Sequence, residues 1–196
     1  MPRPAAETRE HILDVARELF YWEGIRATGV DRVAAAANVA PTTLYRQFGS
    51  KDGLVGAYLE RESKAFRDWF NAAVEAGGAD PRERILAVFD ALAGQVRPEN
   101  CRGCPFLMAL AEFPDAEIEA HRHAVDNKAW VRERFGELTR ELANAREVAD
   151  AEALADRLAL VMDGVYGSVS ALGTDGPARE ARGLVESLLD RVGPPG

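Results

Sequence analysis

The stretch APTTLYRQFGSK, Ala40 to Lys51, restricts the fold more than any other part of the chain. Pro41, Leu44 and Phe48 recur at steps of three and four, the spacing of one face of an α-helix. Thr42, Thr43, Arg46 and Gln47 fan across the opposite side. The flanking residues punctuate the helix on both ends. Asn38 suits a left-handed turn that usually calls for glycine, and Pro41 suits the first turn of a helix. Ser50 is placed to N-cap the next helix, which should run through Tyr58, Phe66 and Phe70. Upstream, Thr28 and Asp31 have the spacing of a variant capping box for a short helix ending at Ala36, with Val30, Val33 and Ala34 inward. A first helix carries its stripe on Ile12, Val15, Leu19 and Phe20.

Beyond this head the chain reads as further helices separated by breakers, with no convincing alternating strand. Pro81 to Val96 is one helix, ended by RPENCRGCP, and Phe106 to Ala111 is a short one. Ala116 to about Asn144 is long. Ala151 to Leu172 and Ala178 to Val192 follow, split by GTDGP. The expected class is all-α, with a three-helix head over 1–50 and a helical domain over 51–196.

The turn ANVA between the second and third helices gives helix-turn-helix dimensions. Leu44 and Phe48 anchor the third helix to the first two, which leaves Thr42, Thr43, Arg46 and Gln47 outward. These suit a DNA major groove: Arg forks onto guanine, Gln onto adenine, and a Thr methyl packs on thymine. Thr28, near a helix start, and Lys51, at the start of the fourth helix, are candidate phosphate contacts, with Tyr45 at the margin. The chain's net charge of −8 argues against nucleic acid at first. From Ile25 to Lys51, however, the local balance is +3. Exposed charges farther away than about 8 Å are largely screened at physiological salt.

The sequence GIRATGVDRVAAAANVAPTTLYRQFGSKDGLVGAYL resembles the DNA-binding region of TetR-family transcriptional regulators. The likeness runs from about Thr8 to Leu59 and rests on Gly24, Thr28, Val33–Ala34, Val39, Leu44–Tyr45, Phe48 and Ser50–Lys51. It implies a dimeric, all-helical protein with an N-terminal helix-turn-helix and a C-terminal domain that binds a small molecule and releases the operator. Ala40 stands where that family often has a capping Ser, and Pro41 where many members carry Lys.

Leu154, Leu158, Val161, Val165 and Val169 recur at helical steps, as do Leu184, Leu188 and Val192. Such stripes can face the chain's own core, and some of them must. The resemblance favours a four-helix dimer interface instead, with Gly164, Gly167 and Ser168 permitting close approach. A two-fold dimer implies a palindromic operator. Candidate effector-pocket residues are Phe89, Phe106, Met108, Leu110, Phe113, Trp130, Met162 and Tyr166, each of which also suits plain core. His121 and His123 are two apart on a helix, so at most one faces any given site.

Cys101 and Cys104 form a C-x-x-C pair. A zinc site would need a second pair at suitable spacing, and HRH is not the spacing zinc fingers use. A thiol switch, two idle thiols, and a thiol oxidoreductase remain as readings, the last requiring a βαβ context.

There is no secretory signal pattern and no apolar run near the roughly 20 residues that span a bilayer, so a cytoplasmic location without membrane partners is expected. No nucleophile–base pairing or Gly-rich phosphate loop points to catalysis, and no cofactor or metal is expected. The expected function is a ligand-responsive DNA-binding regulator: a homodimeric repressor of a palindromic operator, released by a small-molecule effector. A redox-sensing regulator using Cys101 and Cys104 is the alternative.

Overall fold

A computed structural model describes residues 4–145 and 148–190. Every regular element among them is helical, in agreement with the all-α expectation. The order is α1 (Ala5–Glu23), α2 (Val30–Ala36), α3 (Pro41–Phe48), α4 (Lys51–Ala76), α5 (Pro81–Gln95), α6 (Pro105–Glu112), α7 (Glu119–Ala145), α8 (Ala151–Leu172), a 3-10 turn (Pro177–Glu180) and α9 (Ala181–Asp190). The seventh helix begins at Glu119 rather than Ala116, because Asp115 to Ile118 form a separate turn. The last helix begins at Ala181, the residues from Pro177 being wound as 3-10. Its expected end at Val192 lies outside the described residues.

Two compact units emerge from the packing. One comprises Met1–Lys64 with Pro105–Asp126, and the other Ala65–Cys104 with Asn127–Gly196. The first unit thus takes in α6 and the first turns of α7 along with the head over 1–50.

In the first unit, Ile12, Ala16 and Phe20 of α1 are buried, and Phe20 meets Tyr58 of α4 edge-on at 5.5 Å. Two ion pairs cross between these helices outside that core, Arg17 to Glu62 at 3.0 Å and Arg61 to Asp14 at 2.8 Å. The second unit is centred on aromatic rings: Phe70 packs edge-on to Phe135 at 5.2 Å, and Phe89 stacks on Phe135 at 5.8 Å. Leu154, Leu158 and Met162 of α8 are buried, as are Val185 and Leu189 of α9, which packs on both α5 and α8.

Candidate nucleic-acid interface

The turn between α2 and α3 has a specific hydrogen-bond pattern. Asn38 adopts φ 53, one of the few positions where a side chain accepts left-handed backbone. That bend directs the Val39 N–H to the Ala34 carbonyl at 3.0 Å and the Asn38 N–H to Ala35 at 3.1 Å. This is the Schellman arrangement, which satisfies two carbonyls that the end of α2 would otherwise leave bare. α3 then starts with Pro41 at its first turn, after Ala40, which makes no side-chain cap. At the other end, Ser50 Oγ accepts the Gly53 N–H at 3.0 Å and caps α4. Such a cap contributes about 1 kcal/mol.

Leu44 and Phe48 are buried, so α3 is seated by those two side chains. Thr42, Tyr45 and Arg46, at i, i+3 and i+4, form its exposed face, and Tyr45 is 50% exposed. Arg46 is exposed and makes no ion pair among the described residues. Pro41, expected on the anchoring side, is exposed instead, since the first turn overhangs the contact.

Thr43 and Gln47 flank the face and are half-buried. The Gln47 side-chain amide donates to the Ala5 carbonyl at 3.2 Å, so its NH2 group ties α3 to the start of α1. Lys51 Nζ donates to the Arg26 carbonyl at 3.2 Å and leaves two ammonium donors for a phosphate.

Thr28 is a correction. Its side chain is 1% exposed, and its hydroxyl donates to the Gly24 carbonyl at 2.8 Å. The backbone N–H of Thr28 goes to the same carbonyl at 3.2 Å. The residue therefore closes the turn after α1 rather than facing phosphate. The variant capping box is also absent: Gly29 is the N-cap of α2 and no side chain caps it. The spacing of Thr28 and Asp31 fits a capping box, but the buried turn takes the hydroxyl first.

Three contacts had no signal in the sequence. Arg9 of α1 donates to the Gln47 carbonyl at 2.8 Å, and its guanidinium lies 4.4 Å from the centre of the Phe48 ring. His11 places Nε2 3.0 Å from the Ala37 carbonyl; a carbonyl only accepts, so the ring donates from that nitrogen. Glu112 of α6 accepts backbone N–H groups from Ile25 and Arg26. Each joins residues 26 to 87 positions apart, beyond any periodicity.

Charge on the head is partly compensated. Arg32 pairs with Glu23 at 2.6 Å; the hydrogen bond holds the Glu23 carboxyl below its ordinary value and raises the Arg32 guanidinium. Both groups are exposed, so the pair adds little stability.

The remaining candidate residues divide between the units. In the first unit, Phe106 and Phe113 are buried, and Met108 and Leu110 are half-buried. His121 Nδ1 lies 2.8 Å from the Phe113 carbonyl, and His123 lies 3.4 Å from Glu119. In the second, Phe89, Met162 and Tyr166 are buried, and Trp130 sits half-buried against Phe70 at 5.5 Å. Cys101 and Cys104 are buried free thiols, 7% and 4% exposed. Among the described residues no group of three or more His, Cys, Asp or Glu could hold a metal ion. No described helix is long and apolar enough to cross a membrane.

The apolar stripe of α8 also needs correction. Leu154, Leu158, Val165 and Val169 are buried within the protomer and unavailable to a partner. Val161 and Leu188 are half-buried, Leu184 is 50% exposed, and Leu160, off the expected stripe, is 71% exposed. A helix with apolar residues on two faces gives a periodicity that does not say which face looks inward.

Two family models match the chain. Residues 12–58 match the model for bacterial regulatory proteins of the tetR family, and residues 81–185 match the tetracyclin repressor-like C-terminal domain. The transcriptional repressor NemR of Escherichia coli is 30% identical over 142 residues, covering 72% of this chain and 70% of NemR. A TetR-family transcriptional regulator from Streptomyces coelicolor superposes with a TM-score of 0.88 at 30% identity, covering 95% of this chain and 96% of that one. The reduced form of Escherichia coli NemR superposes with a TM-score of 0.81 at 21% identity, covering 96% of this chain and 99% of that one.

Proposed function

The chain belongs to the TetR family of transcriptional regulators, and on that premise we propose that it is a ligand-responsive repressor binding a palindromic operator as a two-fold dimer. It is a DNA-binding regulator and not an enzyme.

One observation carries the reading: α3 presents Thr42, Tyr45 and Arg46 outward on a helix seated by Leu44 and Phe48. An eight-residue helix held this way is sized for the major groove. Arg46 is the guanine-reading side chain, and Thr42 and Thr43 offer methyls to thymine. Tyr45 and Lys51 hold phosphate. Gln47 reaches a base only by exchanging its bond to Ala5 for one to DNA.

The dimer face lies on the exposed side of α8 and α9, at Leu160, Val161, Gly164, Leu184 and Leu188. A two-fold dimer that reads a palindrome presents two α3 helices to successive major grooves of one DNA face, about 34 Å apart. The burial of both thiols shields them from oxidants and disfavours a Cys101–Cys104 switch.

Selection of bound DNA from a random pool at low salt tests the proposal. The expected product is a palindrome with half-sites one helical turn apart or a multiple of it, released when an effector from a small-molecule library is added. Recovery of no palindrome overturns it.

A further inference from the structure

The second unit contains a cavity of about 120 Å³ that the sequence did not point to, apart from Phe89. Its walls are Phe89 and Leu92 of α5, Val96 just after that helix, and Val165 and Val169 of α8. Protein interiors normally close such space, because an unfilled void forfeits the dispersion contacts of every atom lining it. An apolar cavity of about 150 Å³ stays dry and takes one benzene ring, so this one is sized for a single-ring body.

The roof of the cavity is the connection between α8 and α9. Ala178 and Arg179 of the 3-10 turn and Ala181 and Arg182 of α9 overhang it, with Thr174 at the edge, and leave a mouth open to solvent. The turn is fastened to α8 where Ser168 Oγ accepts the Ala178 N–H at 3.1 Å. The two arginines differ in their engagements. Arg182 bridges α9 to α5 through Asp90 at 2.6 Å and also pairs with Glu186. Among the described residues Arg179 pairs with its neighbour Glu180 alone, at 3.1 Å, and reaches the Asp175 carbonyl at 3.3 Å. The Arg179–Glu180 pair is 67% and 74% exposed, so solvent screens it and the guanidinium can exchange one carboxylate for another.

We infer that this cavity is a binding site for a monocyclic aromatic carboxylate, its ring between α5 and α8 and its carboxylate on Arg179. The polar groups fix orientation at the mouth while the apolar walls supply affinity, the usual division in small-molecule sites. The inference deepens the ligand-responsive reading and rests on it for its regulatory meaning. Ligand binding is measured without DNA, so its failure and the failure of operator binding are separate results.

Calorimetric titration of the full chain with sodium benzoate, and separately with toluene, tests the site. Benzoate is expected to bind one per chain and more tightly than toluene. Arg179→Gln should weaken benzoate about tenfold and leave toluene unchanged. Ala181→Leu fills the cavity and should abolish both; if that variant does not fold, Ala93→Leu carries the same test, since Ala93 lines the α5 side of the cavity. No benzoate binding to the wild type, toluene binding as tight as benzoate, or full benzoate binding to the filled variant each overturns the inference. An Arg179→Gln variant with wild-type benzoate affinity overturns the carboxylate's placement and with it the ligand class.

Discussion

The carboxylate of Glu112, the last residue of α6, accepts the Arg26 backbone N–H at 2.6 Å and the Ile25 N–H at 3.0 Å. Both donors lie in the turn after α1, where Gly24 takes φ 99 and no helix satisfies the amides. The next residue, Phe113, lies under the Arg26 guanidinium at 5.1 Å. α6 thus holds this turn by main chain and side chain together. Removing the carboxylate in Glu112→Ala should lower stability by about 1.5–3 kcal/mol, the range for hydrogen bonds to a charged group. Amide hydrogen exchange at Ile25 and Arg26 should accelerate. Unchanged exchange at both would show that the contact does not hold the turn.

Thr28→Val separates a structural from a DNA-contacting role at a single buried site. Valine keeps the shape and removes the hydroxyl that donates to Gly24. A loss of about 1 kcal/mol in unfolding free energy is expected, because the Gly24 carbonyl keeps only the Thr28 N–H. The salt dependence of operator binding should not change. A slope reduced by about one phosphate would restore Thr28 to the interface.

Arg46→Ala should weaken operator binding by about 1–3 kcal/mol and relax base preference at one position of each half-site. Competition binding against operators mutated at single positions measures both. If affinity falls equally for every sequence, Arg46 grips phosphate and does not read a base.

Much of the head was legible because its signals are local. Asn38, Pro41 and Ser50 act on their own backbone within a few residues, and each occupies the turn or helix start its chemistry predicts. What stayed hidden was decided by partners distant in sequence. Nothing near Arg9 announces that it will meet Gln47 and Phe48, and nothing near Glu112 points to Ile25. Thr28 shows the same limit in reverse: its local pattern was real, but the buried Gly24 carbonyl outcompeted a cap. On α8, alternation gave the helix and not its facing, since Leu158 at 0% exposed and Leu160 at 71% both belong to apolar sets.

Gly53→Ala tests how closely α4 approaches the end of α3. A Gly→Ala change inside a helix normally stabilises by about 1 kcal/mol. Here a Cβ would lie 2.1 Å from the Phe48 carbonyl oxygen, a backbone atom that cannot swing aside. The sign should therefore reverse, with about 1–3 kcal/mol lost as the FGSK turn is pushed open. Because that turn fixes the C-terminal end of α3, operator affinity should fall as well. A stabilised variant would show that α3 and α4 can separate at no cost.

Leu160 and Leu184 test where the proposed dimer forms. Both line a groove with Gly164 and Ser168, and a Cβ on Gly164 would meet no atom within 4 Å, leaving room for a partner helix. Since both leucines are exposed in the protomer, Leu160→Glu and Leu184→Glu should each change protomer stability by only about 0.5 kcal/mol. Placed at a two-fold face, each substitution sets two carboxylates near one another and removes apolar burial on both sides. Sedimentation equilibrium should show the mass falling to one chain, and operator binding should weaken with it. Leu158→Ala provides the contrast: fully buried, it should cost about 2–5 kcal/mol of protomer stability whichever face pairs. A glutamate variant that remains dimeric would move the interface off this groove, and the half-site spacing inferred from it would have to be measured afresh.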